Sequence, residues 1–193
     1  MRLLVLYLRS RQIPVAVAAM IGCIGALWAV GRAVEELDPA TLAGLGLVVG
    51  IAVSGPGLAG ADIDLERTAA IPWPPRRALH IIILGVVTGV ATLVAFSGNL
   101  DEPATQIARN AAGMSGLIAL AAATFGVDRA WVVPLVWTLL AWMLQGAAWS
   151  GPAPALHGML TWMAQSSDSW PAALAAGFLA AVGTISYARW GPR

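Results

Sequence analysis

Six apolar stretches, each close to the length needed to cross a bilayer, constrain this chain more than any other feature. They are residues 13–31, 41–60, 79–97, 105–126, 130–149 and 171–188. A helix needs about 20 apolar residues to cross the roughly 30 Å hydrocarbon layer. The first stretch is free of charge over its whole length. The fourth is the weakest, with Gln106, Arg109 and Asn110 in its first turns. All six are continuous runs, not alternating ones, which argues against a transmembrane β-barrel. The expectation is an all-α polytopic bundle of six spans forming one domain over residues 1–193.

Composition points the same way. Apolar side chains make up 59% of the chain and charged ones 11%, against about 25% charged in soluble domains. A net charge of +1 gives no field suited to nucleic acid. Met1 to Gln12 is basic and precedes an apolar run, as in a signal peptide, but no small-residue cleavage site in a polar context follows. The run 13–31 is therefore expected to be a retained helix. Cys23 is the single cysteine, which excludes an intrachain disulfide, and it reads as a small packing hydrophobe. One cysteine and two distant histidines cannot supply the three or four protein ligands of a metal site.

Arginine placement predicts the orientation. With a cytoplasmic N-terminus, nine arginines fall inside: Arg2, Arg9, Arg11, Arg67, Arg76, Arg77, Arg129, Arg189 and Arg193. Only Arg32 and Arg109 fall outside. The positive-inside rule then puts both termini in the cytoplasm. Trp28, Trp73, Trp131, Trp149, Trp170 and Trp190 fall near span ends, as interfacial tryptophans do. The link 150–170 is too apolar for a solvated loop and too broken by Pro152, Pro154 and Gly158 for a further span. It reads as a short helix dipping into the outer leaflet. Irregular backbone is tolerated there only where protein or a cavity covers it.

One charged span interrupts the apolar pattern. GADIDLERTAAIPWPPRRALH, Gly60 to His80, carries Asp62, Asp64, Glu66, Arg67, Arg76 and Arg77 together with Pro72, Pro74 and Pro75. The prolines are expected to stop a short helix that runs to Ile71. Arg76 and Arg77 then open the third span. The product is a rigid charged elbow over 61–77, suited to docking a cytoplasmic partner.

This order of basic N-terminal segment, six spans and an elbow between spans two and three resembles the permease subunits of ABC-2 type exporters. The local match is Asp64-Leu-Glu-Arg-Thr-Ala-Ala-Ile-Pro72 followed by Arg76-Arg77. The link 150–170 matches the family's re-entrant helices in position. The resemblance implies a multi-pass protein of the bacterial plasma membrane, paired with a second permease half, identical or homologous. It implies a separate ABC ATPase subunit that holds ATP and magnesium, and no cofactor on this chain. The chain has no lysine, so it cannot build the GxxxxGK[ST] phosphate loop. By resemblance, Asp64, Glu66, Arg67 and Thr68 are the candidate ATPase contacts and Trp73 the membrane-surface anchor. Pro56, in the SGPG that interrupts span two, is a candidate hinge, and Arg109 a candidate substrate contact. As a charge one turn into a span, Arg109 would otherwise snorkel outward or pair with Asp101 or Glu102. The spans hold few polar side chains, which favours an apolar or amphiphilic cargo.

GMSG, Gly113 to Gly116, offers a different reading. It matches the GxSG of rhomboid intramembrane proteases, with Ser115 in the fourth span. A serine nucleophile needs a base within hydrogen-bond reach. Only His80 and His157 are available, and neither lies in the sixth span, where rhomboids place theirs. Small residues are also what helices use to pack in membranes. A non-catalytic membrane scaffold or immunity protein is the third class that fits the composition.

Overall fold

The computed structural model describes residues 12–34, 36–58, 73–98, 104–146 and 154–192. Among these residues every regular element is helical. In chain order they are α1 (Ile13–Ala33), α2 (Pro39–Val53), α3 (Trp73–Phe96), α4 (Ala104–Phe125), α5 (Val132–Gly146), α6 (Pro154–Leu160) and α7 (Trp170–Trp190). Short 3₁₀ turns follow α2 (Gly55–Leu58), α4 (Val127–Arg129) and α6 (Trp162–Ala164).

Among the described residues, four helical segments are long and apolar enough to cross a membrane: Ile13–Ala33, Trp73–Phe96, Val127–Gln145 (the 3₁₀ turn before α5 taken with α5) and Trp170–Trp190. Their outer faces are apolar as well. Val86, Val90 and Val94 on α3, Leu139, Leu140 and Met143 on α5, and Leu174 and Phe178 on α7 are all exposed. Large apolar faces exposed to this extent on several helices suit a hydrocarbon surrounding and not water. The chain is an all-α, multi-pass membrane protein.

Two segments, 41–60 and the third helix, depart from the expected windows for identifiable reasons. The run 41–60 does not form one helix. Its α-helix ends at Val53, where the Ser54 amide bonds the Ile51 carbonyl and the Ser54 hydroxyl donates to Gly50. An amide shifted to the residue three back tightens the coil into a 3₁₀ turn, and Pro56 sits in that turn, exposed. The third helix starts at Trp73, ahead of the expected 79. Pro74 and Pro75 therefore open α3 instead of closing the elbow. The first turn of a helix has no internal partner for its amides, so proline costs little there. Residues 73–77, assigned to the elbow from sequence, are the first turns of a helix.

α4 is the axis of the bundle. Its most extensive partner is α7, and it also packs on α3, α2 and α5. Buried residues run all round it, from Gln106 to Ala123. The main core joins Met114, Ile118 and Ala122 of α4 to Ile51, Leu58, Ile81, Trp162 and Tyr187. A second cluster, with Met20, Ile24, Leu42 and Phe96, fastens α1 to α2 and α3.

Candidate functional site

The structure assembles three polar or close-packed constellations, and two of them involve α4.

The first is the α4–α7 crossing. A Cβ added at Gly116 would collide with the backbone of Leu179 and Ala180, and one at Gly183 with the Gly116 carbonyl. The two helices touch backbone to backbone. Only glycine permits that approach, and the closeness maximises dispersion contact where no hydrophobic driving force exists. Gly113, one turn earlier, makes room for the Trp162 ring. Ser115, the candidate nucleophile weighed from sequence, is buried and donates its hydroxyl to the Ala112 carbonyl at 2.9 Å. Its side chain lies against Gly85 of α3. His157 sits elsewhere, with Nε2 3.4 Å from the Leu144 carbonyl. All three positions of the GxSG pattern with defined surroundings thus serve contacts between helices.

The second constellation explains the polar start of α4. Arg109 donates from Nη1 to the Ser166 carbonyl at 2.8 Å and from Nη2 to the Gln165 carbonyl at 2.6 Å. Its Nε donates to Asn110 Oδ1 at 3.2 Å. Asn110 in turn donates from Nδ2 to the Met163 carbonyl at 2.8 Å. Arg109, half-buried, therefore caps the carbonyls of the link after α6. Asp101 and Glu102, its expected partners, lie outside the described residues. The carbonyls it meets belong to the segment after α6, whose backbone has left the helix and needs donors. Thr161 and Gln165 add to this set: Gln165 Nε2 donates to Thr161 Oγ1, and that hydroxyl donates to the His157 carbonyl, each at 2.7 Å. Trp162, fully buried, plugs the same segment into the core. Protein covers Thr161, Trp162 and Met163, while Ser166 and Asp168 remain exposed.

The third constellation stands at the other end of α4's partner α7. Asp64, Glu66, Arg67 and Thr68 lie outside the described residues. On its two flanks, Leu58 and the first turns of α3 both meet the last turns of α7, the second through Arg77. The Tyr187 hydroxyl, on a fully buried side chain, donates to the Leu58 carbonyl. On the other flank, the Arg76 and Arg77 guanidinium carbons lie 6.0 Å and 5.9 Å from the Trp73 ring centroid, within cation–π range. The buried Arg77 guanidinium also lies against Gly191, where a Cβ would meet Nη1 at 2.6 Å. Gly191 ends α7 with φ of 71°, a conformation that favours glycine. A cation at a helix C-terminus meets the negative end of the macrodipole, worth about 0.3–1 kcal/mol and more when partly buried.

Sequence reading missed Tyr187, Leu58, Asn110 and Gly183 as joints. For Asn110 a signal was present, since a polar amide inside a span demands a partner. For Tyr187 none was, because its partner is a backbone carbonyl 129 residues away. No family model, curated protein or solved structure matches the chain.

Proposed function

We propose that this chain is the membrane-spanning permease subunit of an ATP-driven exporter of the ABC-2 type. It crosses the bilayer six times, with both termini cytoplasmic, and pairs with a second permease half. Length supports the two crossings beyond the four apolar helices. α4 has 22 residues, or about 33 Å at 1.5 Å per residue. α2 with its 3₁₀ turn reaches about 30 Å, since 15 residues give about 22 Å and four 3₁₀ residues about 8 Å more. Burial of α4 within the bundle accounts for its polar residues.

One observation carries the functional reading: Leu58, before the charged segment, is bonded by Tyr187 of α7, Arg77, shortly after it, lies against Gly191 at the end of α7, and α7 is locked backbone to backbone on α4. A push delivered to Asp64, Glu66, Arg67 and Thr68 by an ATPase would reach the bundle axis through two fixed joints. A segment with loose flanks would absorb it. Trp73 is then the inner joint of the coupling element and its surface anchor. The cargo is apolar or amphiphilic, in keeping with spans that hold few polar groups.

The test is affinity purification from the native membrane in a mild detergent, followed by identification of co-purifying subunits and an ATP-hydrolysis assay. The expected result is a nucleotide-binding subunit that is retained by the wild-type chain and lost from Glu66→Ala/Arg67→Ala. Recovery of folded chain without any such subunit, across several detergents, would remove the basis for the proposal.

A further inference from the structure

A furrow of about 320 Å³ runs along the outside of the bundle where α3, α4 and α7 meet. It lies at the small end of the roughly 300–1,000 Å³ range of small-molecule sites. Its floor is made of small residues: Gly85 and Gly89 of α3, and Ala108, Ala111 and Ala112 of α4. Its wall is the exposed ridge Ile82, Val86 and Val90 of α3, each more than half exposed at 54%, 58% and 54%. The lining is aliphatic apart from Ser115 and Thr184. The Ser115 hydroxyl is already bonded to Ala112, so it makes little demand on an occupant.

The position of the furrow identifies what fills it. It starts beside Ala104, the first residue of α4, and Leu93, three residues before the end of α3. It ends near Ser115 and Ile81, in the interior of both helices. Twelve residues of α3 separate Leu93 from Ile81, about 18 Å at 1.5 Å per residue. That is a little over half the hydrocarbon thickness of about 30 Å, the depth of one leaflet. The furrow is thus open sideways to the hydrocarbon, aliphatic apart from Ser115 and Thr184, and about one leaflet long. We infer that it is a binding site for a single acyl chain of a membrane lipid, entering from the leaflet on the α3–α4 side. The chain completes the packing that the small residues leave open. Voids lined by apolar atoms forfeit dispersion contact until something occupies them. The inference rests on the chain's membrane embedding and not on the transport reading.

The experiment uses the full chain in vesicles of phosphatidylcholine containing a fraction of the same lipid with a photoactivatable diazirine on its acyl chain. Cross-linked peptides are then mapped by mass spectrometry. Labelling is expected to concentrate in residues 82–93 and 104–115, several-fold above the equally exposed faces of α1 and α5. In Ala112→Phe, which fills the furrow from an exposed floor position, that labelling is expected to fall at least about five-fold while labelling of α5 is unchanged. Uniform labelling of all exposed apolar faces in the wild-type chain would overturn the inference, whether or not the variant folds. So would efficient disulfide formation between two copies carrying Ala108→Cys, which would show that a second chain, and not a lipid, covers the furrow.

Discussion

α1 and α4 are helices of nearly equal length, 21 and 22 residues, in the same bundle, yet they are built on opposite terms. α1 is strongly apolar and buries only Met20 and Ile24. α4 holds Gln106, Arg109, Asn110 and Ser115 and buries residues on every side. An outer helix must be apolar because its neighbours are acyl chains. A central helix is relieved of that demand because its neighbours are other helices. It is held instead to a demand on size, since α7 can approach only where side chains are absent. Hydropathy therefore registers contact with lipid more than passage through the bilayer, and the helix that organises the fold is the faintest of the six in sequence.

Glycine substitutions break this contrast most sharply. Leucine at Gly116 would occupy space held by the backbone of α7. Gly116→Leu is expected to yield no monodisperse folded protein on size-exclusion chromatography. At Gly25 of α1 nothing lies within 4 Å. Gly25→Leu is expected to leave the melting temperature unchanged or raised, since glycine inside a helix costs about 0.5–1 kcal/mol relative to alanine. Equal effects at the two sites would end the distinction between a size-limited and a lipid-limited helix.

Tryptophans sharpen it next. Trp162 is fully buried against Gly113, whereas Trp28 of α1 is 43% exposed. Trp162→Ala should destabilise by about 3–5 kcal/mol in a reversible detergent denaturation series. Trp28→Ala should cost well under half of that. A smaller loss is expected at the polar start of α4. Arg109→Met removes charge-assisted bonds to two carbonyls and should cost about 1.5–3 kcal/mol. Hydrogen exchange should rise locally in 161–169, with α1 unaffected. Exchange that rises in α1 instead would place the role of Arg109 elsewhere.

The smallest effect belongs to the entrance of α2. Asp38 caps that helix, accepting from the Thr41 amide at 2.9 Å, the Thr41 hydroxyl at 2.7 Å and the Ala40 amide at 3.3 Å. Asp38→Ala should cost about 1 kcal/mol. The Thr41 hydroxyl, helped by the two amides and opposed by partial burial, holds the Asp38 carboxyl below its ordinary value of 3.8. A depressed value means that the cap's contribution is complete above the unfolded-state value and fades as pH falls through the folded one. The difference in stability between wild type and Asp38→Asn should therefore be constant above about pH 5 and shrink below pH 4. A difference that grows on acidification would contradict the capping geometry.

Legibility in the sequence followed the kind of interaction involved. The first and third helices and the last were readable because they contact lipid, and lipid selects residue types directly. The helical character near 155–164 was readable from its apolar, proline-bounded composition. The early start of α3 was not, because proline breaks a helix interior but suits a first turn, and composition alone does not say which applies. The carbonyl partners of Arg109 were hidden for a related reason. A free snorkelling arginine and one that caps carbonyls occupy the same sequence position. They differ only in where the carbonyls of Gln165 and Ser166 fall, 56 and 57 residues further along.

The sequence by itself determined that this chain is an all-α protein of the bilayer, because the hydrocarbon acts on each residue locally and independently of the fold. Tertiary structure alone decided that α4 is the axis, that Gly116 and Gly183 meet, and that Tyr187 holds the Leu58 carbonyl. Those facts depend on pairs of residues far apart in the chain. Inside a bilayer, where helices gain nothing by merely being apolar, such pairs of close contacts and satisfied carbonyls are what select one arrangement of the bundle.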